Sequence, residues 1–394
     1  MINTNHSGSN VPAKSGRSGS RADNFTESVI RDMTRLAINH NAVNLAQGFP
    51  DFPAPEELKK AACEAIMHDY NQYAITWGAK DLREELSRKV GGYNKMDYDP
   101  ETEIIVTCGS TEAMMSSMLA LVNPGEEVVV SEPFYENYGP DTEISGAVPR
   151  FVPIGDDLSI DEEKLKAAFN KNTKAIVLNT PNNPTGKVFS GKELRLIADL
   201  CIEYDAMAFT DEIYEHIIYD GHKHISIGSL DGMHDRTVTI GSFSKTYSVT
   251  GWRVGYAMAD KGLMGPIRKI HDFLTVGAPA PLQHACVAAL KLPDSYYTEL
   301  ARMYDHKRRL LYKGLKDAGF KCRLPEGAYY IWTDISGFDK TGIDMARYLV
   351  KDIGVASVPG SSFYSTGGQD KLRFTFSKKD STLEEACRRL EKLR

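Results

Sequence analysis

The chain has 394 residues, of which 42% are hydrophobic and 25% are charged, and its 47 basic and 53 acidic side chains leave a formal net charge of −6. This composition is typical of a globular protein and excludes wholesale disorder, collagen-like repeats and a disulfide-built miniprotein. A slightly negative net charge gives no indication of the basic surface that binds nucleic acid. At about 100–200 residues per domain, the length allows two or three domains or one large α/β unit.

The N-terminal segment and the cysteines indicate the compartment. Residues 1–24 are rich in Ser, Gly and Asn and lack the apolar core of a secretory signal, so we predict a disordered tail. The six cysteines are scattered without a Cys-x-x-Cys pair, which favours reduced thiols in a cytoplasmic protein. No apolar run reaches the roughly 18 residues of a membrane span. We interpret the polar stretch around His222 and His224 as a surface turn and predict no metal site.

From about Phe25 the sequence alternates helical patterns with short apolar runs. In chain order, the predicted elements are helices over 28–37, 55–68 and 79–90, a strand over 103–107, a helix over 111–122, strands over 127–130 and 174–179, a helix over 191–204, and strands over 206–210, 237–241 and 254–258. The runs are short and almost wholly apolar, as in strands that are buried on both faces. The alternation predicts an α/β fold with a mainly parallel sheet sandwiched by helices.

After Pro293 the pattern changes to that of a smaller α+β domain. The predicted elements there are a long helix over 295–318, a strand over 328–333, a helix over 344–351, a strand over 372–376 and a terminal helix from Ser381. We therefore predict a large domain and a small one, and we expect the N-terminal segment to join the small domain. The predicted boundaries are 25–54 for that segment, 55–290 for the large domain and 291–394 for the small domain.

Four polar loops follow predicted strands, which is where open α/β sheets bind ligands. The loop at 108–111 reads Cys-Gly-Ser-Thr before a helix, a pattern that suits a phosphate but is also ordinary helix capping. The loop at 179–186 is a rigid Asn- and Pro-rich turn, and 210–214 places an acid at the end of a strand. The loop at 241–245 ends on a lysine in a small, apolar setting. Each loop taken alone also has an ordinary structural interpretation.

In this order and spacing, the four loops resemble those of fold-type I pyridoxal-phosphate enzymes in the class I/II aminotransferase family. The resemblance covers nearly the whole chain outside the tail. It is carried by the asparagine loop at 179–186, Asp211-x-x-Tyr214, Ser-x-Ser-Lys245 with Arg253 eight residues on, and Leu-Arg-Phe at 372–374. More narrowly, Gln-Gly-Phe-Pro-Asp-Phe at 47–52 and Asn-Gln-Tyr at 71–73 look like the kynurenine and methionine aminotransferase branch, which includes cysteine-conjugate β-lyases.

The resemblance implies that the chain binds pyridoxal 5′-phosphate through these residues. Lys245 would form the Schiff base with the cofactor and carry a proton from the Cα of the amino acid. Asp211 would pair with the pyridine nitrogen and keep it protonated. Tyr214 and Asn183 would hydrogen-bond the phenolic oxygen, and Tyr135 would stack on the ring.

The resemblance also implies how the phosphate of the cofactor is held. Gly109, Ser110 and Thr111 would bind it at a helix N-terminus. Ser242 and Arg253 would complete the anchor, the arginine in bidentate fashion.

Substrate binding and assembly follow from the same resemblance. Arg373 would bind the α-carboxylate of the amino acid, next to Asn183 and the backbone of Gly48. Tyr73 would reach across a homodimer interface to the phosphate of the neighbouring subunit, so that each active site would be composite. This α-carboxylate site would accept any α-amino acid, so it does not indicate which side chain the substrate carries.

The side-chain specificity is inferred from departures from the family pattern. Thr111 stands where some aspartate aminotransferases carry a lysine, and no other fixed cation for an acidic side chain is recognisable in the sequence. Phe49, Trp77, Tyr330 and Phe363 would furnish an aromatic or apolar pocket. We therefore predict an aromatic or other neutral L-amino acid as donor and a 2-oxo acid such as 2-oxoglutarate as acceptor. A cysteine-conjugate C–S β-lyase and an aspartate-type aminotransferase remain as alternatives.

Overall fold

The computed structural model describes Gly19, Phe25 and residues 27–393. Apart from Gly19, the predicted tail of residues 1–24 lies outside the described part of the chain. The strands are β1 (Val43–Asn44), β2 (Ile104–Thr107), β3 (Glu127–Glu132), β4 (Val148–Pro153), β5 (Thr173–Asn179), β6 (Met207–Asp211), β7 (Thr237–Ser242), β8 (Gly255–Met258), β9 (Lys321–Cys322), β10 (Tyr330–Asp334), β11 (Val355–Ala356), β12 (Val358–Pro359) and β13 (Lys371–Thr375). The helices are α1 (Val29–Asn39), α2 (Glu56–Met67), α3 (Lys80–Lys89), α4 (Ser110–Leu121), α5 (Tyr138–Ile144), α6 (Glu162–Ala168), α7 (Gly191–Glu203), α8 (Phe243–Thr246), α9 (Lys261–Thr275), α10 (Ala280–Leu290), α11 (Asp294–Asp317), α12 (Gly342–Tyr348) and α13 (Asp380–Leu390).

Seven strands form the central sheet, in the order β2-β8-β7-β6-β5-β3-β4. All neighbouring pairs from β7 to β4 are parallel, whereas β8 runs antiparallel to both β2 and β7. Every residue of β6 and β7 is buried, which explains why these strands read as continuous apolar or small-residue runs. The predicted α/β class with a mainly parallel, helix-covered sheet is confirmed.

A second sheet is built from the C-terminal part of the chain. Its four strands are antiparallel, in the order β12-β13-β10-β9. The N-terminal segment joins this part, because β1 pairs in parallel with β11, with Val43 opposite Val355. Leu45 lies in the same hydrophobic cluster as Leu372 and Phe374 of β13. The exact domain boundaries remain a prediction.

The sequence patterns miss ten of these elements, namely β1, β4, β9, β11, β12, α5, α6, α8, α9 and α10. Strand β4 alternates exposed and half-buried residues at the edge of the sheet, so that it lacks the apolar run of the inner strands. Helix α9 carries Pro266 inside it, a residue that usually marks the end of a helix. Helix α10 is mostly apolar, and therefore its buried face gives no helical periodicity.

The topology brings several chain segments to one edge of the central sheet. Strands β5, β6 and β7 run in parallel, so Asn179, Asp211 and Ser242 end them at the same edge. The loop after β2 and the loop after β3 open at this edge as well. Within residues 27–393, no helix combines the length and the apolar character that crossing a membrane requires.

Candidate active site

A cavity of about 240 Å³ lies at this edge of the sheet. The predicted site residues that line it are Gly48, Ser110, Thr111, Tyr135, Asn183, Asp211, Tyr214, Lys245, Arg253 and Arg373. These residues come from the N-terminal segment, from loops after the strands of the central sheet and from β13. A larger cavity of about 620 Å³, with Lys187, Arg323 and Lys371 in its wall, contains none of the predicted site residues.

A buried lysine amine faces the cavity without an ion-pair partner among the described residues. Lys245 lies in the short helix after β7, and its Nζ donates a hydrogen bond of 3.3 Å to the carbonyl oxygen of Gly48. Burial lowers the pKa of this amine to about 8. The negative charge of Asp211 opposes this lowering, whereas the positive charges of Arg253 and Arg373 add to it. The amine can therefore exchange a proton near neutral pH.

A buried carboxyl group ends the neighbouring strand. The hydroxyl of Tyr138 donates to Oδ2 of Asp211 at 2.7 Å, and the amide of Ile213 donates to Oδ1 at 3.3 Å. Burial raises the pKa of Asp211 to about 6, although these hydrogen bonds and Lys245 act in the opposite direction. A cationic partner inside the cavity would stabilise the charged carboxylate. Sequence reasoning missed Tyr138, because its contact with Asp211 spans 73 residues and leaves no local pattern.

An anion cradle lies at the start of α4. Gly109 has a φ of +83°, and a Cβ at this position would overlap the guanidinium of Arg253. A Cβ at Gly255 would lie 2.5 Å from the backbone nitrogen of Ser110. The two glycines therefore let Arg253 and β8 approach the first turn of α4 closely. Since the first amides of a helix have no intrahelical acceptor, the amides of Ser110 and Thr111 and the guanidinium form a donor set that suits a phosphate.

A second arginine is held rigidly in the wall of the cavity. Arg373 is 1% exposed, and its guanidinium lies 4.3 Å from the ring centre of Tyr330 and 4.9 Å from that of Phe363. Nη1 donates to Oδ1 of Asn183 at 2.8 Å and Nη2 donates to the carbonyl oxygen of Ala46 at 2.6 Å. Nε is buried and has no hydrogen-bond partner among the described atoms. The side chain is thus preorganised and retains donor capacity for a carboxylate.

The orientation of Asn183 follows from this contact. A guanidinium has donors only, so Asn183 must present its carbonyl oxygen to Arg373, and its NH₂ group is left for the cavity. Its backbone amide donates to Oδ1 of Asn179 at 2.7 Å, and Nδ2 of Asn179 donates to the carbonyl oxygen of Asp211 at 2.9 Å. The asparagine loop is therefore tied to the end of β6.

The N-terminal segment enters the site at Gly48. A Cβ on Gly48 would overlap the hydroxyl of Tyr330, so that only glycine permits this approach. The hydroxyl of Tyr330 is 2.9 Å from that of Tyr214, and the hydroxyl of Tyr329 donates to the carbonyl oxygen of Gly48 at 2.8 Å. The segment, the loop after β6 and β10 are thereby joined in one wall.

Three predicted residues do not line the cavity, namely Gly109 of the anion cradle, Ser242 and Tyr73. The hydroxyl of Ser242 bonds the hydroxyl of Ser244 at 2.8 Å and lies 3.2 Å from the carbonyl oxygen of Val254, where it caps the short helix that carries Lys245. The side chain of Tyr73 is 88% exposed on the surface of the chain. Their predicted cofactor contacts stay predictions.

The predicted aromatic pocket is only partly present. Tyr330 lines the cavity, whereas Phe49, Trp77 and Phe363 are not among the lining residues. Trp77 packs against the helices of the central sheet, with Arg268 over its ring. The apolar and aromatic side chains that do line the cavity, and that sequence reasoning missed, are Ile30, Tyr138 and Ile213. Sequence reasoning also found no further cation, but Arg31 lies in the wall.

A charged network lies behind the turn that carries Asp211. His224 belongs to this network, so the interpretation of His224 as part of a surface turn is wrong. The side chain of His224 is 1% exposed, and its Nε2 lies 2.7 Å from Oε2 of Glu212. Glu215 pairs with the ammonium of Lys89 and accepts a hydrogen bond of 2.9 Å from Nδ2 of Asn94. The ligand atoms of Glu212, Glu215 and His224 lie within 4.8 Å of one another, but these contacts already engage both carboxylates.

Comparisons with known proteins agree with this geometry. The family model for aminotransferase class I and II matches residues 40–390. Human kynurenine–oxoglutarate transaminase 1 is 35% identical, over 92% of this chain and 94% of its own length. The structure of N-succinyldiaminopimelate aminotransferase from Mycobacterium tuberculosis has a TM-score of 0.93 at 36% identity, and 96% of this chain and 100% of that one are covered. YbdL from Escherichia coli, identified with a methionine aminotransferase function, gives a TM-score of 0.92 at 31% identity over 95% and 99% of the two chains.

Proposed function

The chain belongs to the aminotransferase class I and II family and is a transaminase, and we propose that its cofactor is pyridoxal 5′-phosphate. We propose an aromatic or other neutral L-amino acid as the donor and a 2-oxo acid such as 2-oxoglutarate as the acceptor. The observation that carries this proposal is the single cavity in which a buried amine, a buried carboxyl group and two arginines meet.

The residues present fit the cofactor, group by group. A phosphate requires a cluster of donors, which Ser110, Thr111 and Arg253 provide around the glycine cradle. A pyridine nitrogen requires an acid, and Asp211 has a raised pKa that a cationic ring nitrogen would lower. An aldehyde requires an amine, and Lys245 is the lysine that lines the cavity. When bound, pyridoxal phosphate supplies an electron-accepting ring that stabilises negative charge at the Cα of the amino acid.

The remaining residues orient the reacting groups. Tyr214 and the free NH₂ group of Asn183 would donate to the phenolic oxygen, and Tyr135 would lie against the ring. Arg373 would hold the α-carboxylate, and this contact limits the directions in which the Cα–H bond can point. With its pKa lowered by burial, the amine of Lys245 is suited to take that proton and to return it to another carbon.

A neutral donor is supported by the side chains around the cavity. Ile30, Ile213 and Tyr330 offer apolar surface that a charged substrate side chain would not use. The relatives include a kynurenine–oxoglutarate transaminase and a protein with a methionine aminotransferase function, and the side chains of kynurenine and methionine are uncharged.

We also propose that two copies of the chain assemble, with Tyr73 of each completing the phosphate site of the other. Large apolar side chains are exposed on two neighbouring segments, with Tyr73 88%, Met67 80% and Phe273 91% exposed. The segments are joined, because Nε2 of His271 lies 2.7 Å from the carbonyl oxygen of Thr76. Exposed apolar patches of this kind are typical of protein–protein interfaces.

A panel of amino acids tests the proposed reaction. The purified protein is supplied with pyridoxal phosphate and 2-oxoglutarate, and glutamate formation is measured with aromatic amino acids, methionine, kynurenine and aspartate. We expect faster transfer from the neutral donors than from aspartate. A strong preference for aspartate supports the aspartate-type alternative, and pyruvate and ammonia released from a cysteine conjugate without an acceptor support the β-lyase. No glutamate from any donor contradicts the proposed function.

A further inference from the structure

Helix α1 contributes a cation to the wall of the cavity. Arg31 lies in the first turn of α1, is exposed, and lines the cavity together with Ser28 and Ile30. No carboxylate of the described chain lies within ion-pair distance of its guanidinium. Arg35, one turn further along the same helix, is instead paired with Glu27 through both guanidinium nitrogens. Arg31 is therefore a cation at the open end of the cavity that has no partner of its own within the described residues.

The helix is fixed where Arg31 emerges from it. Oγ of Ser28 accepts a hydrogen bond from the backbone amide of Arg31 at 3.4 Å, and the same hydroxyl donates to Oε1 of Glu136 at 2.6 Å. Glu136 belongs to the loop after β3 and also lines the cavity. Because its carboxylate is engaged by Ser28, the first turn of α1 is tied to the loop that carries Tyr135, and the Cα of Arg31 has a defined place at the cavity.

The other cations in the cavity have tasks in the proposed reaction. Arg253 lies against the phosphate cradle, Arg373 is locked to Asn183 and the backbone, and Lys245 is the amine at the reacting centre. A second carboxylate on a substrate would find none of them free. With its α-carboxylate on buried Arg373, a dicarboxylic substrate must direct its other end toward the exposed part of the cavity.

We infer that Arg31 binds the distal carboxylate of dicarboxylic substrates, chiefly that of a dicarboxylic 2-oxo acid acceptor. This inference rests on the proposed function. An arginine matches a carboxylate with two parallel N–H donors, a geometry that the hydroxyl of Thr111 cannot offer. A neutral donor uses the same cavity without penalty, because the exposed guanidinium stays in water when no carboxylate is present.

Matched acceptors test the inference. Arg31→Gln is compared with Arg35→Gln, a control on the same helix. Both variants are assayed with one neutral donor and with each of two acceptors, namely 2-oxoglutarate and 2-oxopentanoate, which has the same chain length but no distal carboxylate. We expect Arg31→Gln to lower kcat/KM for 2-oxoglutarate about tenfold or more and to change that for 2-oxopentanoate less than about twofold. Arg35→Gln should leave both values near those of the wild type. Equal losses with both acceptors, or no loss with either, overturn the inference.

Binding at equilibrium gives an independent measurement. Calorimetry on the same proteins compares glutarate with pentanoate, which differ only in the distal carboxylate. Arg31→Gln should remove most of the preference for glutarate, and Arg31→Lys should restore part of it. If the wild-type protein transfers no amino group between any substrates, the proposed function fails. If it transaminates but the ratio for the two acceptors is the same in Arg31→Gln and Arg35→Gln, only the inference fails.

Discussion

The amine of Lys245 is unusual because it is buried, faces a cavity and makes its one hydrogen bond with a backbone carbonyl. Burial shifts the protonation equilibrium of this lysine toward the neutral amine, since a buried site disfavours the ammonium. Asp211 shows the complementary behaviour, with burial favouring the neutral acid. A cofactor that carries both a basic ring nitrogen, which can take the proton of this acid, and an electrophilic carbon, which the amine can attack, would use both properties together.

The lowered pKa of Lys245 leads to a titration experiment on the cofactor-free protein. We expect its amine to titrate near pH 8, below the 10.5 of an ordinary lysine, and we expect Asp211→Asn to lower the midpoint further, because the aspartate charge raises it. Nuclear magnetic resonance of ¹³C-methylated lysines measures the midpoint, with Lys245→Arg assigning the signal. Exposed Lys166 serves as the internal control, since its pKa is raised. A Lys245 signal that titrates together with the surface lysines would contradict the lowered pKa of the buried amine.

Residues that act through short motifs were predictable, and residues that act through distant contacts were not. Lys245, Asp211 and Asn183 each lie in a recognisable motif at or just after the end of an apolar strand, so their order along the chain marks them. Tyr138 and Arg31 carry no such mark, because they meet the cavity only after distant elements have packed.

At the scale of elements, the turn after β6 joins the cavity to the interior. Asp211 and Tyr214 face the cavity, whereas Glu212 and Glu215 face the charged network behind it. That network links the turn to α3 through Lys89 and to β8 through Tyr256. The turn is thereby held from both sides.

Removing one charge from this network should be costly. Glu215→Ala leaves the ammonium of Lys89 buried without its anion, and breaking a buried pair in this way costs about 3–5 kcal/mol of unfolding free energy. Urea unfolding of the cofactor-free protein measures the change. Glu385→Ala is the control, because it breaks two pairs at the surface of α13, with Arg388 and Arg389, and should have little effect. Equal stability of the two variants would show that the network does not hold the turn.

The elements themselves were predictable where hydrophobic periodicity is strong. The inner strands and the helices that cover them have boundaries within a few residues of those observed. Helices α9 and α10 were missed because a proline interrupts the first and the second is apolar on most sides. Strands β1, β9, β11 and β12 span two residues each, too few to form a pattern.

At the scale of the whole molecule, the N-terminal segment contributes both to a two-stranded sheet with β11 and to the wall of the cavity. It pairs with β11, places Gly48 beside Lys245 and carries Arg31 on α1. The sequence predicts that this segment joins the C-terminal part, and the domain boundaries stay a prediction. The cytoplasmic location stays a prediction, and all six cysteines are free.

Assembly of two copies can be tested on the exposed apolar surface. Phe273→Glu places a charge on the proposed interface, so we expect it to shift the protein toward single chains in sedimentation equilibrium. Ile202→Glu, at a half-exposed position of α7 outside the two proposed interface segments, is the control and should leave the mass unchanged. A wild-type protein that sediments as one chain at all concentrations would contradict the shared phosphate site.

The absorbance spectrum of the purified protein with pyridoxal phosphate measures whether Lys245 holds this cofactor for amino-group transfer. We expect a bound-cofactor band that changes when an L-amino acid is added and returns when a 2-oxo acid is added in its place. Lys245→Ala should lack both the wild-type band and the transfer activity while keeping the wild-type circular dichroism. A wild-type spectrum that does not respond to amino acids, or unchanged turnover in Lys245→Ala, would contradict this role of Lys245.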